Sequence, residues 1–162
     1  MDNYQEVLVA LRRVIRATDL HSKQLVKTAG LTASQLLLMQ YIDEKEDVSS
    51  SQLAKAISLS KATITSILDR LEERGLVCRQ RSQQDKRKVS VLLSAKGKAA
   101  LLNAPTPLQA HFIQRFSQLQ TWEQTAIISS LQRVAAMMDA QDIDASPVLD
   151  VGTLDRQAID KS

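Results

Sequence analysis

The sequence predicts a mainly α-helical fold with one small β-hairpin. Only four glycines and three prolines occur among the 162 residues, and aromatic side chains make up 3% of the chain. This composition favours helices and argues against an all-β fold. Apolar residues recur at helical spacing along most of the chain, whereas the period changes to two on both sides of one charged run, SQQDKRK, at residues 82–88.

The first two predicted helices are separated by a glycine and a helix cap. Apolar residues with helical spacing cover residues 4–28, and Gly30 ends that helix. Thr32 and Gln35 then form a capping box, in which the threonine hydroxyl caps the helix and the glutamine side chain reaches back. The second helix is expected to continue through Ile42.

Two further helices are predicted close together in the middle of the chain. Ser49 opens a second capping box, SSSQ, before the short helix QLAKAI, which ends near Ser58. Ser60 caps the next helix, KATITSILDRLEER, which Gly75 stops. Two helices of about two and four turns across such a short turn have the shape of a helix-turn-helix.

A hairpin follows this helix pair. Residues 76–82 and 89–94 are predicted to form two strands, and the polar tip between them is longer than a two-residue turn, so it is expected to protrude. A helix pair followed by a basic hairpin has the order of a winged helix-turn-helix, with the hairpin tip as the wing.

The C-terminal part is predicted to be helical and then irregular. Ser94 begins a helix that Pro105 and Pro107 interrupt, and Thr121 opens a last amphipathic helix through a third capping box. Residues 141–162 contain five aspartates and no clear period, which predicts a loose acidic tail.

The charge is unevenly distributed along the chain. The formal net charge is only +3, but residues 70–98 hold nine Lys or Arg against three acidic residues, and residues 139–162 carry a net charge of −4. A basic centre favours a polyanionic partner, and the alternative interpretation is an ordinary solvated surface.

The second helix of the pair has a surface suited to the major groove of DNA. On a helical wheel, Ile64, Ile67, Leu68 and Leu71 share one face, which is predicted to be buried. The opposite face is small and hydroxylated, so it can enter the groove and bond base edges or phosphates. The residues predicted to contact DNA here are Ser60, Lys61, Ala62, Thr63, Thr65, Ser66 and Arg70. The alternative is an ordinary amphipathic helix with a polar outer face.

The wing is predicted to contact DNA beside that helix. Arg87 at the tip would reach into the adjacent minor groove, where narrow segments have a stronger negative potential. The residues expected to bind phosphates are Arg79, Arg81, Lys86 and Lys88. Asp85 would repel DNA, so its expected role is a wing salt bridge that orients an arginine, either Arg87 or one on a neighbouring element.

Taken together, these residues resemble the MarR family of bacterial transcriptional regulators. The family's wing pattern is roughly D-x-R-x-x-x-V-x-L-T-x-x-G. This chain matches it with Asp85, Arg87, Val91, Leu93, Ser94 in place of the usual Thr, and Gly97. Ahead of the wing, Ser60, the run LDRLE at residues 68–72 and the run GLV at residues 75–77 resemble the family's recognition helix and its exit. The likeness covers roughly residues 5–140.

The resemblance implies a homodimer in which the first and the last two long helices intertwine and two winged domains bind a pseudo-palindromic operator. It also implies repression at a promoter, relieved by a small, often aromatic or phenolic, effector. His21 would lie near the effector pocket, and a dimer-interface or surface position is the alternative. The domains expected are an N-terminal dimerisation helix at 1–31, a DNA-binding domain at 32–94, C-terminal dimerisation helices at 95–140 and a flexible acidic tail at 141–162.

Other classes of function have little support in the sequence. Two isolated histidines and one cysteine have no metal-ligand spacing, and no catalytic constellation is visible, so we expect no enzyme activity, metal or cofactor. One cysteine and no membrane-length apolar run predict a cytoplasmic protein without a membrane partner. Cys78 is expected to be a semi-buried strand residue, with a redox role as the alternative. A winged-helix module that binds a protein instead of DNA is the remaining alternative.

Overall fold

The predicted fold class is confirmed by the computed structural model, which describes residues 2–156. The elements in chain order are α1 (Asn3–Ala29), α2 (Ala33–Glu44), β1 (Val48–Ser49), α3 (Ser50–Ile57), α4 (Lys61–Glu73), β2 (Val77–Arg81), β3 (Val89–Leu93), α5 (Ala95–Asn103), α6 (Leu108–Ser117) and α7 (Thr121–Met137). The helix pair α3–α4 and the hairpin β2–β3 therefore stand in the order of a winged helix-turn-helix.

Polar caps begin most of the helices where the sequence predicts. The hydroxyls of Thr32, Ser49, Ser60 and Ser94 each accept a hydrogen bond from the backbone N–H three residues further on. The last helix differs by one residue, because Thr121 already has helical geometry. Its N-cap is Gln120, whose backbone N–H donates to Glu123 Oε2 at 2.8 Å.

The three strands form one antiparallel sheet in the order β1-β3-β2. The hairpin has the predicted strands, with Val77 opposite Leu93 and Arg81 opposite Val89. The two-residue strand β1 is not predicted, because two residues are too short to show a period. It pairs Val48 with Val91 and covers the outer edge of β3, which would otherwise be unpaired.

One hydrophobic core lies beneath the helix-turn-helix and the sheet. The predicted inner face of α4 is buried, since Ile64, Ile67, Leu68 and Leu71 are at most 1% exposed. Other fully buried side chains are Leu25, Leu31, Leu36, Leu38, Met39, Leu53 and Val91. In contrast, α6 and α7 contain no buried residue in the single chain. The core therefore lies in the winged region and the end of α1, and α6 and α7 leave many of their apolar side chains uncovered.

The start of α5 packs closely against the turn between α4 and β2 and is hydrogen-bonded to it. Ser94 Oγ donates to the carbonyl oxygen of Gly75 at 2.5 Å, and the Ser94 N–H donates to that of Leu76 at 3.0 Å. A Cβ atom on Gly97 would lie 2.0 Å from the Leu76 carbonyl oxygen, so only glycine permits this approach. This contact explains physically why the wing pattern ends in a glycine.

The chain after α7 turns back towards α1 and α2, which differs from the loose tail predicted for 141–162. Val148 and Leu154 pack against the core, and Ser34 Oγ donates to the carbonyl oxygen of Leu154 at 2.6 Å. These apolar residues lie among aspartates and have no helical or strand period, so the sequence pattern carries no sign of their contacts. Residues 157–162 of the predicted tail lie outside the described residues.

Candidate nucleic-acid interface

Helix α4 is held in place by its buried face and by a short turn from α3. Ser58 adopts a left-handed conformation with φ of 56°, so the three-residue turn needs no glycine. Leu59 in the same turn is 7% exposed and anchors it to the core. Because the inner face of α4 is held in this way, its outer face is presented to solvent.

The outer face of α4 carries most of the residues predicted to contact DNA. Ser60, Lys61, Ala62 and Thr65 are exposed, and Thr63 and Ser66 are half-buried. In the free chain the hydroxyl of Thr65 donates to the carbonyl oxygen of Lys61 at 2.9 Å. The Ser60 and Thr63 hydroxyls lie 2.8 Å apart. The start of the helix is therefore a small, ordered, hydroxylated surface.

Arg70 lies differently from the other predicted contacts. Its side chain is half-buried, and its Nη1 is buried without a hydrogen-bond partner among residues 2–156. This inward placement differs from the outward position that a DNA contact requires, because Arg70 lies at the edge of the helix face that packs on the core.

Arg79 connects the wing to α4. Its guanidinium pairs with Asp69 Oδ1 at 2.7 Å and with Glu72 Oε2 at 3.0 Å, and its side chain is 25% exposed. Arg79 was predicted to bind phosphate, but in this structure its Nη1 and Nη2 groups donate hydrogen bonds to two carboxylates of α4. No local spacing rule predicts this contact, because the partners lie on another element, seven and ten residues earlier.

Asp85 shapes the wing tip through hydrogen bonds to the backbone. Its Oδ1 accepts from the N–H of Arg87 at 3.0 Å, and its own carbonyl oxygen accepts from the N–H of Lys88 at 2.9 Å. The predicted salt bridge to an arginine is absent within the described part of the chain, because the carboxylate instead closes a turn on its own strand connection. Lys86, Arg87 and Lys88 are all exposed as a result.

Asp47 holds the base of the wing, a role that was not predicted from the sequence. Its carboxylate accepts hydrogen bonds from Ser82 Oγ at 2.6 Å and from Ser90 Oγ, and both serines are buried. The hydrogen bond from Ser82, then that from Ser90, lowers the pKa of Asp47; burial opposes them, and the charge of Lys88 adds a smaller lowering. Asp47 has a left-handed φ of 56°, which Asp tolerates, but β1 is too short for the sequence to mark this turn.

His21 lies in a second location, a crevice between α1, α2 and the start of α6. Its Nε2 accepts a hydrogen bond from the N–H of Leu108 at 3.0 Å, so it caps α6, whose N-cap Pro107 offers no side-chain acceptor. The free space in the crevice is about 10 Å³, room for about one water molecule. Leu149, from the segment after α7, forms part of its wall.

The remaining predictions concern the cysteine, metal binding and membrane spans. Cys78 is exposed, which differs from the semi-buried position expected on β2. Within residues 2–156, no group of three or more His, Cys, Asp or Glu side chains is arranged to hold a metal ion. The helices in the same range are all too short or too polar to cross a membrane.

The chain is similar to known regulatory proteins in sequence and in structure. The model of the MarR family matches residues 31–89. The transcriptional repressor YetL of Bacillus subtilis is 44% identical over 66 residues, which are 40% of this chain and 40% of YetL. The homoprotocatechuate degradative operon repressor of Escherichia coli is 23% identical over 141 residues, which cover 87% of this chain and 95% of that protein. The solved structure of the repressor CouR bound to a 23-mer DNA duplex is 26% identical, with a TM-score of 0.54 over 78% of this chain and 89% of CouR.

Proposed function

We propose that the chain, whose residues 31–89 match the model of the MarR family, is a sequence-specific DNA-binding transcriptional regulator of that family that acts as a homodimeric repressor. One observation carries the proposal. The exposed hydroxylated face of α4 lies beside an exposed basic wing, and Arg79 ties the two together through Asp69 and Glu72. Such a surface offers both direct contacts to base edges and contacts to phosphates.

In the proposed complex, α4 enters the major groove and the wing tip enters the adjacent minor groove. The residues that face the major groove are Ser60, Lys61, Ala62, Thr63, Thr65 and Ser66. The backbone N–H groups at the start of α4 favour a nearby phosphate. Arg81, Lys86 and Lys88 bind phosphates, and Arg87 occupies the minor groove. Arg79 acts in this scheme as a positioning residue and not as a phosphate ligand.

The exposed apolar side chains outside the winged region are the argument for a dimer. Large apolar side chains are exposed on three helices outside the winged region: Val7, Leu8, Val14 and Ile15 on α1, Phe112 and Ile113 on α6, and Ile128 and Leu131 on α7. Surfaces of this kind mark interaction sites on proteins that are not membrane-bound. We propose that residues 1–31 and 95–140 form the dimer interface, and that residues 32–94 form the DNA-binding domain. Two winged domains would then meet half-sites roughly 34 Å apart.

The proposed effector is a small aromatic or phenolic molecule, and its proposed site is the crevice that contains His21. This crevice joins α1 and α6, from the dimerisation region, to α2, from the winged region. A ligand bound there would change the orientation of the two regions relative to each other. We also propose that the protein acts in the cytoplasm, where it binds chromosomal DNA, and that it is not an enzyme.

The experiment that tests the function has two steps. Mapping of bound DNA across the genome identifies operators, and a fluorescence anisotropy titration then measures affinity for one operator at several salt concentrations. We expect tight binding whose log association constant falls linearly with log salt, and much weaker binding to a scrambled duplex of equal composition. Binding without salt dependence, or equal binding to the scrambled duplex, would contradict the proposal.

A further inference from the structure

The segment of residues 147–156, here called the C-terminal strap, is held by a side chain on α6. Gln109 Nε2 donates to the carbonyl oxygen of Pro147 at 2.9 Å, and Gln109 Oε1 accepts from the N–H of Leu149 at 2.9 Å. One amide side chain therefore pairs with an acceptor and a donor two residues apart, in the way that a neighbouring strand would. This pairing fixes the register of the strap on α6.

A buried carboxylate forms the second anchor of the strap. The side chain of Asp150 is 0% exposed, and its Oδ1 accepts from Ser22 Oγ of α1 at 3.3 Å and pairs with Arg156. Asp150 Oδ2 is buried and has no hydrogen-bond partner among residues 2–156. A buried oxygen without a partner costs free energy, so this site is only partly compensated and the strap can be displaced.

The apolar residues of the strap complete its contact with the body of the protein. Val148 and Leu154 pack against the core, and Ser34 of α2 holds the carbonyl oxygen of Leu154. Leu149 lines the crevice of His21, where about 10 Å³ of free space remains. A single aromatic ring needs far more room than one water molecule. With the strap in place, the crevice is therefore closed to the proposed effector.

We propose that the strap is an intramolecular ligand of this crevice and competes there with small apolar molecules. The strap covers α1, α2 and α6 together, so a molecule that enters must first release Leu149 and Asp150 from their positions. The apparent association constant for such a molecule is then its intrinsic value multiplied by the fraction of chains whose strap is released. This inference rests on the proposed function only in taking the His21 crevice as the effector site.

The test measures binding of the aromatic anion 8-anilinonaphthalene-1-sulfonate to the DNA-free dimer. We compare the full chain with a chain that ends at residue 146, and we then add a synthetic peptide of residues 147–156. The truncated chain should bind the probe about tenfold more tightly, as expected if about one strap in ten is released at equilibrium. The peptide should reverse this gain, and a peptide of scrambled sequence should not. Equal probe affinity in the two chains, or no displacement by the peptide, overturns the proposal.

A point variant keeps the test valid if the truncated chain folds poorly. Asp150→Lys places a cation beside Arg156 in a buried position and should release the strap, whereas Asp144→Lys makes the same charge change at an exposed position and should have no effect. Hydrogen exchange at the N–H of Leu149, which donates to Gln109, reports the release directly. Exchange that is equally slow in both variants contradicts the proposal. None of these measurements uses DNA, so a failure to bind an operator would overturn the proposed function and leave the strap result standing.

Discussion

At the scale of single residues, the wing depends on two acidic side chains with different roles. Asp85 orders the tip through the N–H of Arg87, which leaves the arginine side chain free and exposed. Asp47 orders the base by accepting from Ser82 and Ser90 on the two sides of the hairpin. From the sequence, Asp85 was expected to form an ion pair, and the role of Asp47 was not predicted.

Arg87→Ala should weaken operator binding and leave the dimer intact. The side chain is exposed at the tip and makes no ion pair within the described residues, so its removal costs DNA contacts and not folding. Anisotropy titration should show a loss of about tenfold, while light scattering still reports a dimer. Gln84→Ala, a neutral change on the same tip, is the control. Unchanged affinity of the Arg87 variant would remove the wing from the mechanism.

Asp47→Asn should destabilise the protein at neutral pH but not at low pH. The pKa of Asp47 is lowered in the folded protein, so its contribution is present above the ordinary Asp pKa of about 3.9 and disappears as the pH falls through the lowered folded value. Urea unfolding at a series of pH values measures this. The difference between wild type and variant should shrink below about pH 4. A difference that stays constant down to pH 2.5 would show that the carboxylate charge is not what matters.

At the scale of elements, the core and the ion pairs of Arg79 both connect α4 to the wing. Val77 and Val91 of the hairpin are buried in the same core as the inner face of α4. Arg79, on β2, joins the exposed side of the hairpin to Asp69 and Glu72 of α4. Ser94 and Gly97 make a similar connection at the start of α5.

Salt dependence separates the role of Arg79 from that of Lys88. Arg79→Ala should weaken operator binding without changing the slope of log affinity against log salt, because both of its pairs are made within the protein. Lys88→Ala should weaken binding to all sequences and reduce the slope by about one, as for the loss of one phosphate contact. Equal changes in slope for the two variants would mean that Arg79 binds a phosphate after all.

At the scale of the whole molecule, the chain divides its apolar surface between two uses. The winged region buries its apolar side chains together with Leu25 of α1, whereas the rest of α1 and helices α6 and α7 expose most of their large apolar side chains. Leu131 is 56% exposed and Ile15 is 64% exposed in the single chain. Side chains of this type gain free energy only when a second surface removes them from water.

Leu131→Asp should separate the dimer. A carboxylate placed in an apolar interface is costly to desolvate, so the variant should be monomeric at micromolar concentration by light scattering. Operator affinity should fall by more than tenfold, because one winged domain then binds one half-site. Gln132→Asp, an exposed position one residue along the same helix, is the matched control. A variant that remains dimeric would exclude this face of α7 from the interface.

The sequence by itself determined the starts of α2, α3, α4 and α5, the inner face of α4 and the hairpin, because each depends on residues close together in the chain. The caps at Thr32, Ser49, Ser60 and Ser94 are local hydrogen bonds, and the change of period after Gly75 marks the wing directly. The family resemblance rested on the same local patterns, and the family model matches the part of the chain that carries most of them, residues 31–89.

Only the tertiary structure decided which partners the charged and polar groups of the site find. Arg79 meets carboxylates seven and ten residues away, Asp47 meets a serine 43 residues away, and Ser34 meets Leu154 across 120 residues. Each of these contacts requires that the core first bring distant elements together. The periodicity and spacing of neighbouring residues carry no information about such pairs, and so the roles of Arg79, Asp47 and the strap could be found only in the folded chain.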